Sequence, residues 1–389
     1  MNEWKKVKLG ELYDVHNGLS KGRQFFGSGY PFLTFSNVFN NWFLPEELES
    51  LVQSSEKERQ TCSIKKGDVF ITRTSETMDE LGMSSVALKD YPNATYNGFT
   101  KRLRPLTDEV IPEYIGYYLR SPKFRGKFMA FSTMTTRASL ANDDLLSMEV
   151  DIPEKAIQQR IATILSRYDS LIENYQKQIK LLEESAQRLY KEWFIDLRFP
   201  GHESTKIIDG VPEGWEKKKI NEIALLKAGG DKPEIVSENR TKICNIPIYS
   251  NGTSNEGLYG YTDKPEITEH CITISARGSV GYTIMRRKPF VPIVRLISVI
   301  PQSIYVGYLY FYTKQIPLDS NGAAQQQITI PMIRDKEIII PTNFILDELE
   351  RCLEPMFKHI DDLKSLIRHL TEARDRLLPK LMSGEIKIN

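Results

Sequence analysis

Little in this 389-residue sequence offers a ligand set to a metal or cofactor. The four cysteines, Cys62, Cys244, Cys271 and Cys352, are scattered and form no CxxC pair. That argues against a zinc site and against a disulfide framework. Four buried structural thiols are expected instead. The five histidines stand apart from any other metal-ligand cluster. No apolar run approaches the ~20 residues that span a bilayer. The opening MNEWKKVKLGEL is too polar for the core of a signal peptide, so the chain is expected in the cytoplasm. There is no GxxxxGK(S/T) phosphate loop; GLSKGR at 18–23 lacks its spacing. No Pro-Pro dipeptide occurs, so the Asn/Asp-Pro-Pro-aromatic tetrad of adenine methyltransferases is absent. An excess of one charge is also missing. The net charge is +1, residues 1–150 hold 19 Lys+Arg against 19 Asp+Glu, and residues 211–341 hold 16 against 13. A nucleic-acid surface would have to come from segregation of charge onto one face.

What the sequence does contain is an internal repeat. Its most regular part starts at Pro153 and recurs, without a gap, 188 residues later from Pro341. LEESAQRL at 182–189 matches LTEARDRL at 370–377. Ile161, Leu165, Tyr168, Ile172, Tyr175, Ile179, Leu182, Ala186, Leu189 and Trp193 follow a strict 4,3 spacing. The same positions in the second copy are Leu349, Leu353, Met356, Ile360, Leu363, Ile367, Leu370, Arg374, Leu377 and Leu381, nine of the ten apolar. A 3.5-residue period held over four heptads is the signature of a coiled-coil seam. Asp375 with Glu385 and Lys387 mimics a nuclease Asp…Glu-x-Lys pattern, but Asp375 falls on this heptad helix and the match reads as chance.

The regions before each helix correspond more loosely. WKKVKLGEL at 4–12 resembles WEKKKINEI at 215–223, and YIGYYL at 114–119 resembles YVGYLY at 305–310. Short β-rich runs at 69–72, 271–275 and 294–300 are bounded by Gly, Pro, Asn and Asp, and helices are predicted at 111–130 and 303–315. The fold class is therefore α/β (α+β), as two divergent domains of one fold, 1–152 and 215–340. Each precedes a long helix, 153–198 and 341–389, with a Pro/Gly-punctuated linker at 199–214. The second domain begins only about twenty residues after the first helix. Parallel helices would need that stretch to run back along ~50 Å at nearly full extension. An antiparallel coiled coil with an approximate two-fold axis is predicted.

The ends of the two helices, KEWFIDLRFP at 191–200 and RLLPKLMSGEI at 376–386, resemble the spacer-helix ends of type I restriction–modification specificity subunits. The resemblance covers essentially the whole chain, and makes 1–152 and 215–340 two target-recognition domains. It implies a DNA-binding subunit with no catalytic centre and no cofactor of its own. The implied partners are double-stranded DNA, two methyltransferase subunits and up to two motor-nuclease subunits. S-adenosylmethionine, ATP and magnesium would belong to those partners. Two unlike heads on a two-fold frame suit a split, asymmetric target with an unread spacer. The specificity subunit of a type IIB-like system, a coiled-coil scaffold without DNA, and a self-contained nuclease or methyltransferase remain alternatives at this stage.

Base readout needs side chains that reach base edges, commonly Arg to guanine and Asn or Gln to adenine. Two polar loops occupy matching places before Ile152-Pro153 and Ile340-Pro341: Thr135, Thr136 and Arg137 in the first domain, Gln325, Gln326 and Gln327 in the second. A second matched pair follows the strands at 69–72 and 271–275. It offers Arg73, Thr74 and Ser75, with Arg277 and Ser279 opposite. FSNV at 35–38 and YSNG at 249–252 form a third pair, from which Asn251 is a candidate. Trp193 and Phe194 are read as domain-packing core.

Overall fold

The computed structural model describes residues 4–75, 80–131, 138–139, 141–316 and 327–386. The chain forms two compact units, Met1–Tyr175 with Ser365–Asn389, and Gln176–Lys364. Each unit therefore holds one globular domain and a half of each long helix.

Both units are built alike. In the first, Lys5–Lys8 pairs antiparallel with Glu149–Ile152, the strand that leads into the helix. Its four-stranded antiparallel sheet runs in the order Tyr13–Asn17, Thr100–Pro105, Val69–Thr72, Ser84–Val86. A three-stranded sheet of Leu51–Val52, Phe26–Leu33 and Thr95–Tyr96 has one antiparallel and one parallel pairing. The second unit repeats this, with Glu216–Lys219 on Glu337–Ile340. Its four-stranded sheet runs Ala224–Ala228, Ile297–Pro301, Cys271–Ile274, Thr283–Arg286. Leu258–Thr262, Ile246–Tyr249 and Val291–Pro292 complete it. The inner strands Val69–Thr72 and Cys271–Ile274 are buried at every position, which is why they read as unbroken β-rich runs rather than alternating ones.

The long helices are Lys155–Phe194 and Asn343–Ser383, 40 and 41 residues, hence ~60 Å at ~1.5 Å per residue. All twenty predicted seam positions are buried or half-buried, Arg374 among them. In the first unit Ile161 and Leu165, from the start of one helix, share a core with Leu378, Leu381 and Met382, from the end of the other. In the second unit Ala186 and Tyr190 share a core with Leu349, Leu353 and Phe357, so the start of the second helix meets the end of the first. Each unit thus contains an antiparallel pair. The predicted 111–130 helix is two, Pro112–Arg120 and Pro122–Phe131. Ser121 is extended at φ −67°, ψ 149°, the conformation that a following proline imposes.

Trp193 and Phe194 pack against the second core, Phe194 edge-on to Tyr308 at 4.8 Å. Residues 199–214 are more than a connection, for Ile207–Ile208 and Val211–Pro212 form a small antiparallel hairpin. Cys62, Cys244 and Cys271 are buried thiols, but Cys352 is exposed, which corrects the expectation of four buried ones. It follows Arg351 on the outer face of its helix, beside rather than on the seam residue Leu353. Among the described residues no helix is long and apolar enough to cross a membrane.

Candidate nucleic-acid interface

Described residues at the edges of the predicted loops lie side by side within each unit. In the first, Thr74–Ser75 pairs antiparallel with Ala138–Ser139, which directly follows Arg137. Residues 135–137 themselves lie outside the described residues, as do Gln325 and Gln326. In the second unit Ile328 N–H donates to the Ala276 carbonyl at 3.0 Å, which sets the half-buried Gln327 beside the exposed Arg277 and the half-buried Ser279. The described residues flanking these loops, about 60 and 50 residues apart in sequence, are therefore neighbours in space.

Strand register shows how well the domains match. Val69 faces Leu103 and Ile272 faces Val299, so the positions after these strands correspond, Arg73 to Ala276 and Thr74 to Arg277. The loops are equivalent and their arginines are offset by one residue. The Arg73 guanidinium donates to Asn17 Oδ1 at 3.3 Å. Next to it Lys101 is 4% exposed and donates to Asn142 Oδ1, and its ammonium pKa is pushed down by burial and by the Arg73 charge.

The third loop pair aligns differently from expectation. Asn97 N–H donates to the Leu33 carbonyl and Ile293 N–H to the Tyr249 carbonyl, so Tyr249 corresponds to Leu33 and not to Phe35. Asn37 caps a short helix, accepting from Thr34 N–H at 3.0 Å. Asn251 instead spans two loops: its amide donates to the Val294 carbonyl at 2.6 Å and its Oδ1 accepts from Ala276 N–H at 2.7 Å. Both ends of that side chain are used inside the protein, which suits a positioning role.

One element of this surface went unread in the sequence. The run at 294–300, expected as strand throughout, begins as a tight turn, and the strand proper is Ile297–Pro301. Leu296 N–H closes the turn on the Ile293 carbonyl at 3.1 Å, with Val294 and Arg295 at φ 54° and 60°. The first unit has its counterpart at 97–100, closed by Thr100 N–H on the Asn97 carbonyl at 3.0 Å. Asn97-Gly98 is an ordinary turn signal; Val294-Arg295 carries none.

A cleft of about 190 Å³ in the second unit, lined by Lys180, Glu183, Glu256, Arg287, Asp361 and Lys364, is a weaker candidate. Four of these charges are paired, Lys364 with Glu256 at 2.6 Å and Arg287 with Asp361 at 2.9 Å.

The class that the fold defines is a doubled α/β protein, each copy closed by halves of two antiparallel helices. The chain belongs to the type I restriction modification DNA specificity domain family, whose profile matches residues 1–184 and 212–361. It is 29% identical to the type I restriction enzyme MjaIX specificity subunit of Methanocaldococcus jannaschii, over 99% of this chain and 93% of that one. Identity to the HindI specificity subunit of Haemophilus influenzae is 24%, over 99% of this chain and 100% of that one. The fold is similar to the crystal structure of a type I restriction–modification S subunit from M. genitalium, with a TM-score of 0.59 at 18% identity, covering 98% of this chain and 96% of that one.

Proposed function

We propose that this specificity subunit reads a bipartite, asymmetric DNA sequence, one half-site per domain. In this reading it also scaffolds two methyltransferase subunits and up to two motor-nuclease subunits, and acts in the cytoplasm. The chain supplies recognition; S-adenosylmethionine, ATP and magnesium act on the partners. The observation that supports this best is one sheet topology built twice with unlike loops on it. A common frame keeps the geometry of approach, while Arg73 in one domain and Arg277 and Gln327 in the other differ in what they can bond. Loss of base-specific methylation at a single split motif is expected when the gene is deleted, and its return on complementation. A methylome unchanged by deletion would sink the reading.

A further inference from the structure

We infer that the exposed turns at 97–100 and 293–296 determine base specificity, with Phe99 as an apolar reader of one half-site and Arg295 as a guanine reader of the other. The inference rests on the DNA-reading role proposed above and names side chains within it.

The two turns are equivalent in position. Each turn joins the parallel strand of the three-stranded sheet (Thr95–Tyr96, Val291–Pro292) to the second strand of the four-stranded sheet (Thr100–Pro105, Ile297–Pro301). Each is seated on the same neighbour: Gly98 N–H donates to the Leu19 carbonyl at 2.9 Å, and Val294 N–H to the Gly230 carbonyl at 2.8 Å. The approach is close enough to require glycine before both acceptors. A Cβ on Gly18 would fall 2.2 Å from the Asn97 carbonyl oxygen, and one on Gly229 would fall 2.6 Å from the Pro292 carbonyl carbon. Each turn is also tied to the arginine loop beside it. Arg73 N–H donates to the Phe99 carbonyl at 3.0 Å, and Asn251 bridges the Val294 carbonyl to Ala276 N–H.

With the backbone bonded inward, the side chains at the tips face out: Phe99 is 57% exposed, Val294 49%, and Arg295 is exposed. A β-branched residue at positive φ in an exposed turn costs more than Gly or Asn would, and such strain collects at functional sites. The two turns share a seat but not a hand, since Val294 and Arg295 are left-handed and Gly98 and Phe99 are not. Matched placement with unmatched tip and chemistry, aromatic in one unit and cation in the other, is what two readers of different bases need. A phenyl edge recognises the thymine methyl, and a guanidinium recognises guanine O6 and N7.

The test uses the full chain co-expressed with its methyltransferase partner, with half-site-resolved methylation profiling and competition binding. Phe99→Ala should lose roughly 5- to 150-fold of discrimination at one A·T position in one half-site, the other half-site unchanged. Arg295→Ala should do the same at one G·C position of the opposite half-site. Arg295→Lys should restore overall binding and its salt dependence but not that discrimination, because an ammonium lacks the planar fork. Equal weakening on every sequence, or an unchanged profile, overturns the inference while leaving the proposed function standing. A wild-type complex with no sequence preference would overturn both.

Discussion

At the scale of single residues, the loops of the candidate interface are held by side chains that act on backbone. Asn251 uses donor and acceptor together to hold the Val294 turn against the Arg277 loop. Gly18 and Gly229 act by having no side chain. Arg120 does related work beneath the first domain, where its guanidinium donates to the carbonyls of Val38, Phe39, Asn41 and Ser84. Its burial pulls the guanidinium pKa down to about 10, still far above neutrality, so the cation persists. Val294 offers the direct test of strain. Left-handed backbone costs about 1–2 kcal/mol for an L-residue, and glycine gives back part of that in chain entropy. Val294→Gly should therefore raise stability by up to about 1 kcal/mol in thermal denaturation while methylation of the second domain's half-site becomes less selective. A lower melting temperature would show that the turn is unstrained.

At the scale of elements, the seam has one polar position with a clear partner. Arg374 stands where the first helix has Ala186, and its guanidinium donates to Asp169 Oδ1 at 2.6 Å. Tyr117 donates to the other Asp169 oxygen at 2.5 Å, and Arg374 lies 5.0 Å from the centre of the Trp42 ring. The pair therefore joins both helices to the globular domain of the first unit. Both side chains are largely screened from water, at 12% and 26% exposure, so the interaction exceeds that of a surface pair. Arg374→Leu leaves the Asp169 carboxylate without its cation and should destabilise the first unit by about 1–3 kcal/mol. Adding Asp169→Asn should recover most of that loss, since Tyr117 keeps an acceptor. Urea unfolding of the four proteins closes the cycle; a coupling below about 0.5 kcal/mol would mean that the pair holds nothing.

At the scale of the whole molecule, the proposed function makes the two helices a ruler. The boundary between the compact units crosses the first helix between Tyr175 and Gln176. Four residues inserted there add about one helical turn, ~6 Å at ~1.5 Å per residue. They also nearly preserve the phase of the seam, as a stutter does. At ~3.4 Å per base pair that length equals between one and two base pairs. Methylation mapping should find the same two half-sites with a spacer longer by about one to two base pairs. A variant that folds and binds but keeps the original spacer would show that the helices do not set the distance.

The repeat, both long helices and their antiparallel pairing were legible in the residues, because a heptad seam is a local pattern. Every residue from Ile161 to Trp193 that the 4,3 spacing picked out is covered in the fold. The buried strands Val69–Thr72 and Cys271–Ile274 were legible too, as β-rich runs bounded by turn residues. Three things needed the tertiary structure: the offset of Arg73 from Arg277, the true counterpart of Tyr249, and the turns bearing Phe99 and Arg295. Each depends on strand register, and register is decided by pairing between segments far apart in the chain. Thr72 meets Thr100, and Tyr249 meets Pro292. Sequence periodicity fixes which face of a helix is buried, but only the closed sheets decide which loop ends stand side by side.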